Sequence, residues 1–390
     1  MCRLNGPALV ARRAKQTLAE LARPRFPGTP GERECARNLA QRLEAAGYLV
    51  REEEFYCGEF YCGGFSCGRA DVAVRRLFGL VAVGALAAAW ALSATLPLAS
   101  AAIAASLLAA ALLVGRVWLA ITSRLASRLA ARLTPRGPGR SRNLIAARPG
   151  ASPRLYLSAH YDSKSQSVPL VLRLALMLIL AAALLALTGL LAARAAGASV
   201  APDATTGALF ALAAALSLVL VWQGEGNESP GALDNGAAVA LLAELARAVD
   251  SPDIGFIFFG AEELGLLGSL DFARRRPPPQ PFGVVNLDGI GLAGRLRLFG
   301  QGELGAALSR AAREAQVALR PSPLWPGLLM DHVALARSGI AAVSLGCVGG
   351  PSGAIHSAAD RPELVEEEGL REAAALLLAL TQGPEAPVTR

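Results

Sequence analysis

The chain has 390 residues, 53% of them hydrophobic, with a mean hydropathy of +0.40 and a formal net charge of +7. That is too apolar for an ordinary soluble enzyme of one or two domains, so part of the chain is expected in a membrane. The positive excess is almost wholly arginine; it marks membrane flanks, and no nucleic-acid partner is expected.

Residues 8–24 and 31–46 have amphipathic helical spacing, the second opened by "TPGERE" and closed at Gly47, and "YLVREEEF" alternates as a strand. In "FYCGEFYCGGFSCG" the thiols Cys57, Cys62 and Cys67 are evenly spaced. Zinc knuckles pair cysteines more closely and need a fourth ligand, so this stretch reads as a glycine-rich loop with free thiols. No secretory signal pattern is read at the start of the sequence, and free thiols are the expectation in a reducing compartment.

Residues 77–115 carry no charge. As one helix they would be roughly 58 Å long, about twice the hydrocarbon thickness of a bilayer, so they must turn, and Pro97 in "TLPL" is the place. The expected spans are 77–94 and 101–121. A second uncharged pair, 174–193 and 204–222, is joined by "RAAGASVAPD". The open ends of both hairpins hold Arg75, Arg76, Arg116, Arg124, Arg128, Arg132, Arg136, Lys164 and Arg173, whereas the closed ends hold only Arg194 beside Asp203. By the positive-inside rule the globular parts face the cytoplasm of a multi-pass membrane protein.

The remainder alternates strands and helices: "RNLIAARPG" and "RLYLSA" as strands, "NGAAVALLAELARAV" as a helix, "DIGFIFFG" and "FGVVNLD" as strands, "ELGAALSRAAREAQ" as a helix, "AAVSLG" as a strand and "LVEEEGLREAAALLLALTQ" as a closing helix. The expected fold is α/β, with a mostly parallel central sheet covered by helices on both faces and interrupted by two transmembrane hairpins. The expected boundaries are 1–70, 141–163 and 228–382 for the globular domain, 71–125 and 168–222 for the hairpins, and 383–390 for a tail.

Sheets of this kind bind ligands outside the carboxyl ends of their strands. Those ends carry His160 after "LYLSA", Asp234 in "PGALDNG", Glu262 and Glu263 after "GFIFFGA", Asp288 in "VVNLDG", and His356 in "GAIHSAAD". All are metal-ligand types, and two of the chain's three histidines are among them.

"SAHYDS", "PGALDNGAAVALLAELAR", "FFGAEELGLLGS", "VNLDGIG", "DHVALARSGIAAVSL" and "IHSAADRPE" resemble, in order, the motifs of the zinc-dependent exopeptidases that include bacterial leucyl aminopeptidases, glutamate carboxypeptidase and, more distantly, glutaminyl cyclase. "PRFPGTPGERECARNLAQRLEAAGYLV" resembles their amino-terminal helices. The resemblance implies a peptide substrate and two zinc ions bridged by Asp234, with His160 and Asp288 completing one position and Glu263 and His356 the other. Three carboxylates and a hydroxide then balance two divalent ions.

Glu262 matches a non-ligand of the family and is expected to be the general base that takes a proton from the attacking water. Asp162, two residues past His160 on the same strand face, is the expected acceptor for that imidazole, with Asp360 serving His356 likewise. Asp331 and His332 match a "DH" of the family and are expected to be structural. Leu233 stands where many relatives carry a polar residue, nothing resembles an arginine specific for acidic side chains, and the hairpins are insertions atypical of these enzymes.

A membrane-anchored di-zinc aminopeptidase is thus the leading reading, ahead of a one-zinc glutaminyl cyclase, suggested by "HYDSK", and a catalytically silent membrane scaffold. The sequence sets neither residue preference nor oligomeric state.

Overall fold

The computed structural model describes residues 6–57, 69–93, 95–109, 139–198, 203–277, 280–324 and 328–382. Cys62, Cys67, the distal part of the expected 101–121 span and the 383–390 tail lie outside the described residues. The chain forms two units, Met1–Gly64 with Ala126–Ser165 and Gly226–Arg390, and Phe65–Leu125 with Gln166–Glu225.

Among the described residues, the first unit is built on an eight-stranded sheet. Its strands are β1 (Leu49–Tyr56), β2 (Arg140–Ala147), β3 (Leu155–His160), β6 (Ile254–Phe259), β7 (Gly283–Leu287), β8 (Leu296–Phe299), β9 (Arg320–Pro321) and β10 (Ala341–Cys347), in the spatial order β1-β2-β6-β3-β7-β10-β8-β9. The short strands β4 (Ser165–Gln166) and β5 (Glu225–Gly226) form a separate two-stranded ribbon. The four central strands β6, β3, β7 and β10 are mutually parallel.

The expectation of a mostly parallel sheet therefore holds at the centre and is corrected towards the edges, where β1–β2, β2–β6 and β10–β8 are antiparallel. For β2 and β8 the reason is chain length between strands. Residues 148–154 link β2 to β3 and residues 288–295 link β7 to β8, too few for the crossover that a parallel return requires.

Side chains alternate across the sheet. Leu144, Leu157, Phe256, Phe258, Val285 and Leu287 belong to the large core, whereas Ile145, Ile257, Phe259 and Val284 belong to a smaller core on the opposite face. The large core packs beneath α1 (Pro7–Leu21), α2 (Pro30–Ala45), α7 (Ala237–Ala248), α9 (Glu303–Glu314) and α11 (Glu367–Gln382). The smaller one lies with α8 (Leu267–Arg274) and α10 (Asp331–Arg337). The "TPGE" start of α2 is a reciprocal cap: Thr29 accepts the Glu32 amide, and Glu32 reaches back to the Gly28 amide.

The second unit contains α3 (Arg69–Leu92), α4 (Pro97–Ala109), α5 (Leu170–Ala195) and α6 (Asp203–Val221). Two of its stretches, Leu170–Ala195 and Ala204–Val221, are long and apolar enough to cross a membrane, with hydropathies of 2.7 and 2.1. Leu80–Leu92 and Pro97–Ala109 are shorter apolar helices, parted near Pro97 where the sequence calls for a turn. The unit has its own small core of Leu86, Ala89, Ala104, Leu184, Leu187, Phe210 and Ala213, in which alanines allow close helix approach.

Candidate metal centre

The strand order places the reactive residues. After β3 the chain proceeds to β6 on one side and then to β7 on the other, so the strand order reverses direction here, the point at whose carboxyl ends sheets of this kind bind ligands. His160 ends β3, Glu262 and Glu263 follow β6 through Ala261, and Asp288 follows β7. Asp234 sits in the turn Ala232–Gly236 that leads into α7, and His356 lies in the loop after β10. Ala261 and His356 both have left-handed backbone angles, with φ of 52° and 62°, the kind of local strain found at functional sites.

Asp234 joins the two histidines through different oxygens. Its Oδ1 is 3.1 Å from His160 Nε2, and its Oδ2 is 3.0 Å from His356 Nε2. His160 Nε2 is also 3.7 Å from Asp288 Oδ1, and His356 Nε2 is 3.2 Å from Glu263 Oε2. The ligating atoms of His160, Asp234 and Asp288, and those of Asp234, Glu263 and His356, form two triads, each gathered within 4.8 Å. Five of the expected ligand residues are thus brought together, with the carboxylate of Asp234 shared. Glu262 Oε2 lies 4.0 Å from His160 Nε2, beside the first triad.

Two further carboxylates hold this arrangement, in ways the sequence does not reveal. Asp162 lies 3.5 Å from His160 Nδ1, but its two oxygens accept the backbone amides of Glu262 at 3.1 Å and Glu263 at 3.0 Å, which fixes the turn bearing both glutamates. Asp360 does not serve His356 as expected. It lies under the Asp234 turn and accepts the Leu233 amide at 2.7 Å and the Asp234 amide at 3.2 Å, satisfying buried donors of that turn.

The buried Arg25 grips the same turn from its other end, donating to the carbonyls of Tyr161, Pro230 and Gly231. Gly231 has φ +57°, and a Cβ there would lie 2.5 Å from Ser163 and 2.6 Å from the Asp234 carbonyl, so "PGALDNG" needs its first glycine for space as well as conformation. Lys164, four residues past His160 in "HYDSK", places Nζ 3.0 Å from Glu263 Oε2 and 3.0 Å from the Glu263 carbonyl.

Crowded charge shapes the titration of these groups. Burial lowers both imidazoles, but the surrounding carboxylates outweigh it, raising His160 well above its ordinary value and His356 to about 9. Burial raises Glu262 well above the usual carboxylate range, opposed by His160 and reinforced by Glu263, Asp288 and Asp331. For Asp234 and Glu263 burial acts upward too, yet their histidine partners, and Lys164 for Glu263, bring both below the ordinary range. Asp331 is fully buried, has no hydrogen-bond partner for either carboxylate oxygen among the described residues, and is pushed up to about 7 by burial. His332 lies 2.6 Å from the Ser344 hydroxyl and is pushed down to about 4 by burial.

A model of peptidase family M28 matches residues 143–381. The chain belongs to peptidase family M28. Among curated proteins this M28 chain is 35% identical over 126 residues to aminopeptidase YwaD of Bacillus subtilis (strain 168), a match covering 29% of the chain and 28% of that relative's length. Among solved structures it is similar to BSAP, a zinc aminopeptidase from Bacillus subtilis, at 18% identity and a TM-score of 0.54, over 95% of this chain and 93% of that one. It is equally similar to a glutaminyl cyclase from Fimbriiglobus ruber, at 19% identity and a TM-score of 0.54, over 95% and 94%. Both structural likenesses concern the fold. The kinship with zinc exopeptidases expected from the motifs is met, and an aminopeptidase and a glutaminyl cyclase are both among the similar structures.

Proposed function

We propose that this M28 chain is a membrane-anchored zinc aminopeptidase that removes N-terminal residues from peptides with two zinc ions. The observation that carries the reading is the division of Asp234 between two histidines, one oxygen to each, with a second carboxylate completing either triad. Two imidazoles and three carboxylates within ligand reach suit zinc, and the buried Glu263 Oε1 has no hydrogen-bond partner among the described residues. The residues therefore fit the metal the family implies. His160, Asp234 and Asp288 would hold one ion, and Asp234, Glu263 and His356 the other.

Zinc held by these residues would acidify a bound water and polarise the scissile carbonyl. Glu262 then does the proton work. Its carboxylate lies beside the first triad and belongs to neither, the two oxygens of neighbouring Asp162 being taken up by backbone amides, and burial together with Glu263, Asp288 and Asp331 raises its affinity for a proton. It takes the proton of the attacking water on a carboxylate oxygen and delivers it to the departing amine. Asp162 keeps Glu262 and Glu263 in place by accepting both of their amides.

A second reading, a glutaminyl cyclase-like enzyme with one zinc, is favoured by the Lys164 ammonium on Glu263. Detergent-purified protein offered aminoacyl amides, short peptides and N-terminal glutaminyl peptides, with zinc measured in parallel, separates the two. Release of N-terminal residues with two zinc ions per chain supports the aminopeptidase; ammonia release from glutaminyl peptides with one zinc supports the cyclase. Neither activity nor zinc would leave the scaffold reading. The anchoring and the cytoplasmic orientation rest on the two long apolar helices and on the arginines at the open ends of the hairpins.

A further inference from the structure

We infer that Lys164 makes the two metal positions unequal, so that the Asp234–Glu263–His356 position is the weaker and more readily exchanged. This rests on the two-zinc reading above. The ammonium is fixed at two points, 3.0 Å from Glu263 Oε2 and 3.0 Å from the Glu263 carbonyl, and Oε2 is the same oxygen that lies 3.2 Å from His356 Nε2. Lys164 thus claims part of the charge of the atom that a metal in this triad would use.

Around His160 the situation is opposite. Among the described residues the charged groups within 4.0 Å of its ring nitrogens are carboxylates: Asp162, Asp234, Glu262 and Asp288. In a buried cleft, where charges are weakly screened, a divalent ion is drawn to the half surrounded by anions and repelled by an ammonium held against its own ligand. Both halves share Asp234, so the difference between them lies in what surrounds the remaining ligands.

The test is a chelator-buffered zinc titration of the detergent-purified full chain, counting zinc bound per chain, on wild type, Lys164→Met and Lys164→Arg. Wild type should fill in two steps separated by at least about tenfold, of the order seen when groups contacting metal ligands are changed. His356→Asn should remove the weaker step and His160→Asn the tighter one. Lys164→Met should tighten the weaker step by about ten- to a hundredfold, while Lys164→Arg, which keeps the charge, should preserve the separation. Lys164→Gln reports the same loss of charge if the methionine variant does not fold.

Two zinc ions bound with equal affinity by wild type, or a weaker step unchanged or loosened in Lys164→Met, would overturn this inference alone. A single zinc lost in His356→Asn but kept in His160→Asn would overturn it too, and with it the two-zinc reading. No zinc at either position would likewise remove both.

Discussion

Helices α7 and α5 are both written in alanine and leucine, yet they meet different surroundings. In α7 every residue from 237 to 246 is buried, and its one acid, Glu244, accepts a hydrogen bond from the Thr17 hydroxyl at 2.8 Å and lies 3.6 Å from Arg42. In α5 the buried residues are Leu180, Ala183, Leu184, Leu187 and Leu191, a single stripe at helical spacing. The other faces of α5 are no less apolar but are uncovered, with Leu178 at 72% and Leu185 at 63% exposure. Composition alone does not distinguish a core helix from a membrane helix. The distinction lies in whether apolar residues off the packed stripe have protein to meet, and in α5, among the described residues, they do not.

Substitutions of one kind in the two helices sharpen this contrast. Leu241→Asp in α7 should abolish folding, because an unpaired carboxylate buried on all sides costs several kcal/mol against a total stability of about 5–15 kcal/mol. The check is loss of a cooperative melt and of bound zinc in the purified variant. Leu178→Asp in α5 should leave the first unit and its zinc intact while reducing membrane insertion, at a cost of about 2.5–3.5 kcal/mol if the site lies at the bilayer centre. Unchanged fractionation between membrane and soluble protein would argue that α5 is not lipid-facing.

Proton competition separates the site from both helices. His356, raised to about 9 without metal, is protonated at neutral pH and must release that proton to ligate zinc. Apparent zinc affinity should therefore rise between pH 6 and 9, by about tenfold per unit for each proton displaced, and flatten above. A flat profile over that interval would contradict a protonated His356 in the metal-free site. The smallest effect concerns topology, because single exposed cysteines should barely perturb stability. A membrane-impermeant thiol reagent on intact cells should label cysteines introduced in 95–100 and 196–202 but not in 140–150 or 350–360, and the reverse pattern would move the metal centre to the other side of the membrane.

The candidate site residues were legible because a parallel sheet delivers its strand ends to one edge: His160, Glu262, Glu263 and Asp288 lie at or just after the ends of apolar runs. Less legible were the elements too short for a period to emerge, α8, α10 and β8, and with β8 the antiparallel edge of the sheet. The supporting contacts were hidden for another reason. Asp162 holding the Glu262 and Glu263 amides, Asp360 holding the Asp234 turn, and Lys164 reaching Glu263 each join residues about a hundred positions apart. Only the "HYDSK" string hinted that Lys164 mattered, without indicating its partner.

The most direct measurement of the central claim is Glu262→Gln, with turnover and zinc content determined on the same preparation. The account predicts zinc content nearly unchanged and kcat lower by about 10²–10⁴, the usual contribution of a general base, whereas Glu263→Gln should lose metal. Near-normal turnover in Glu262→Gln, or loss of both zinc ions from it, would contradict the division of roles between these adjacent glutamates.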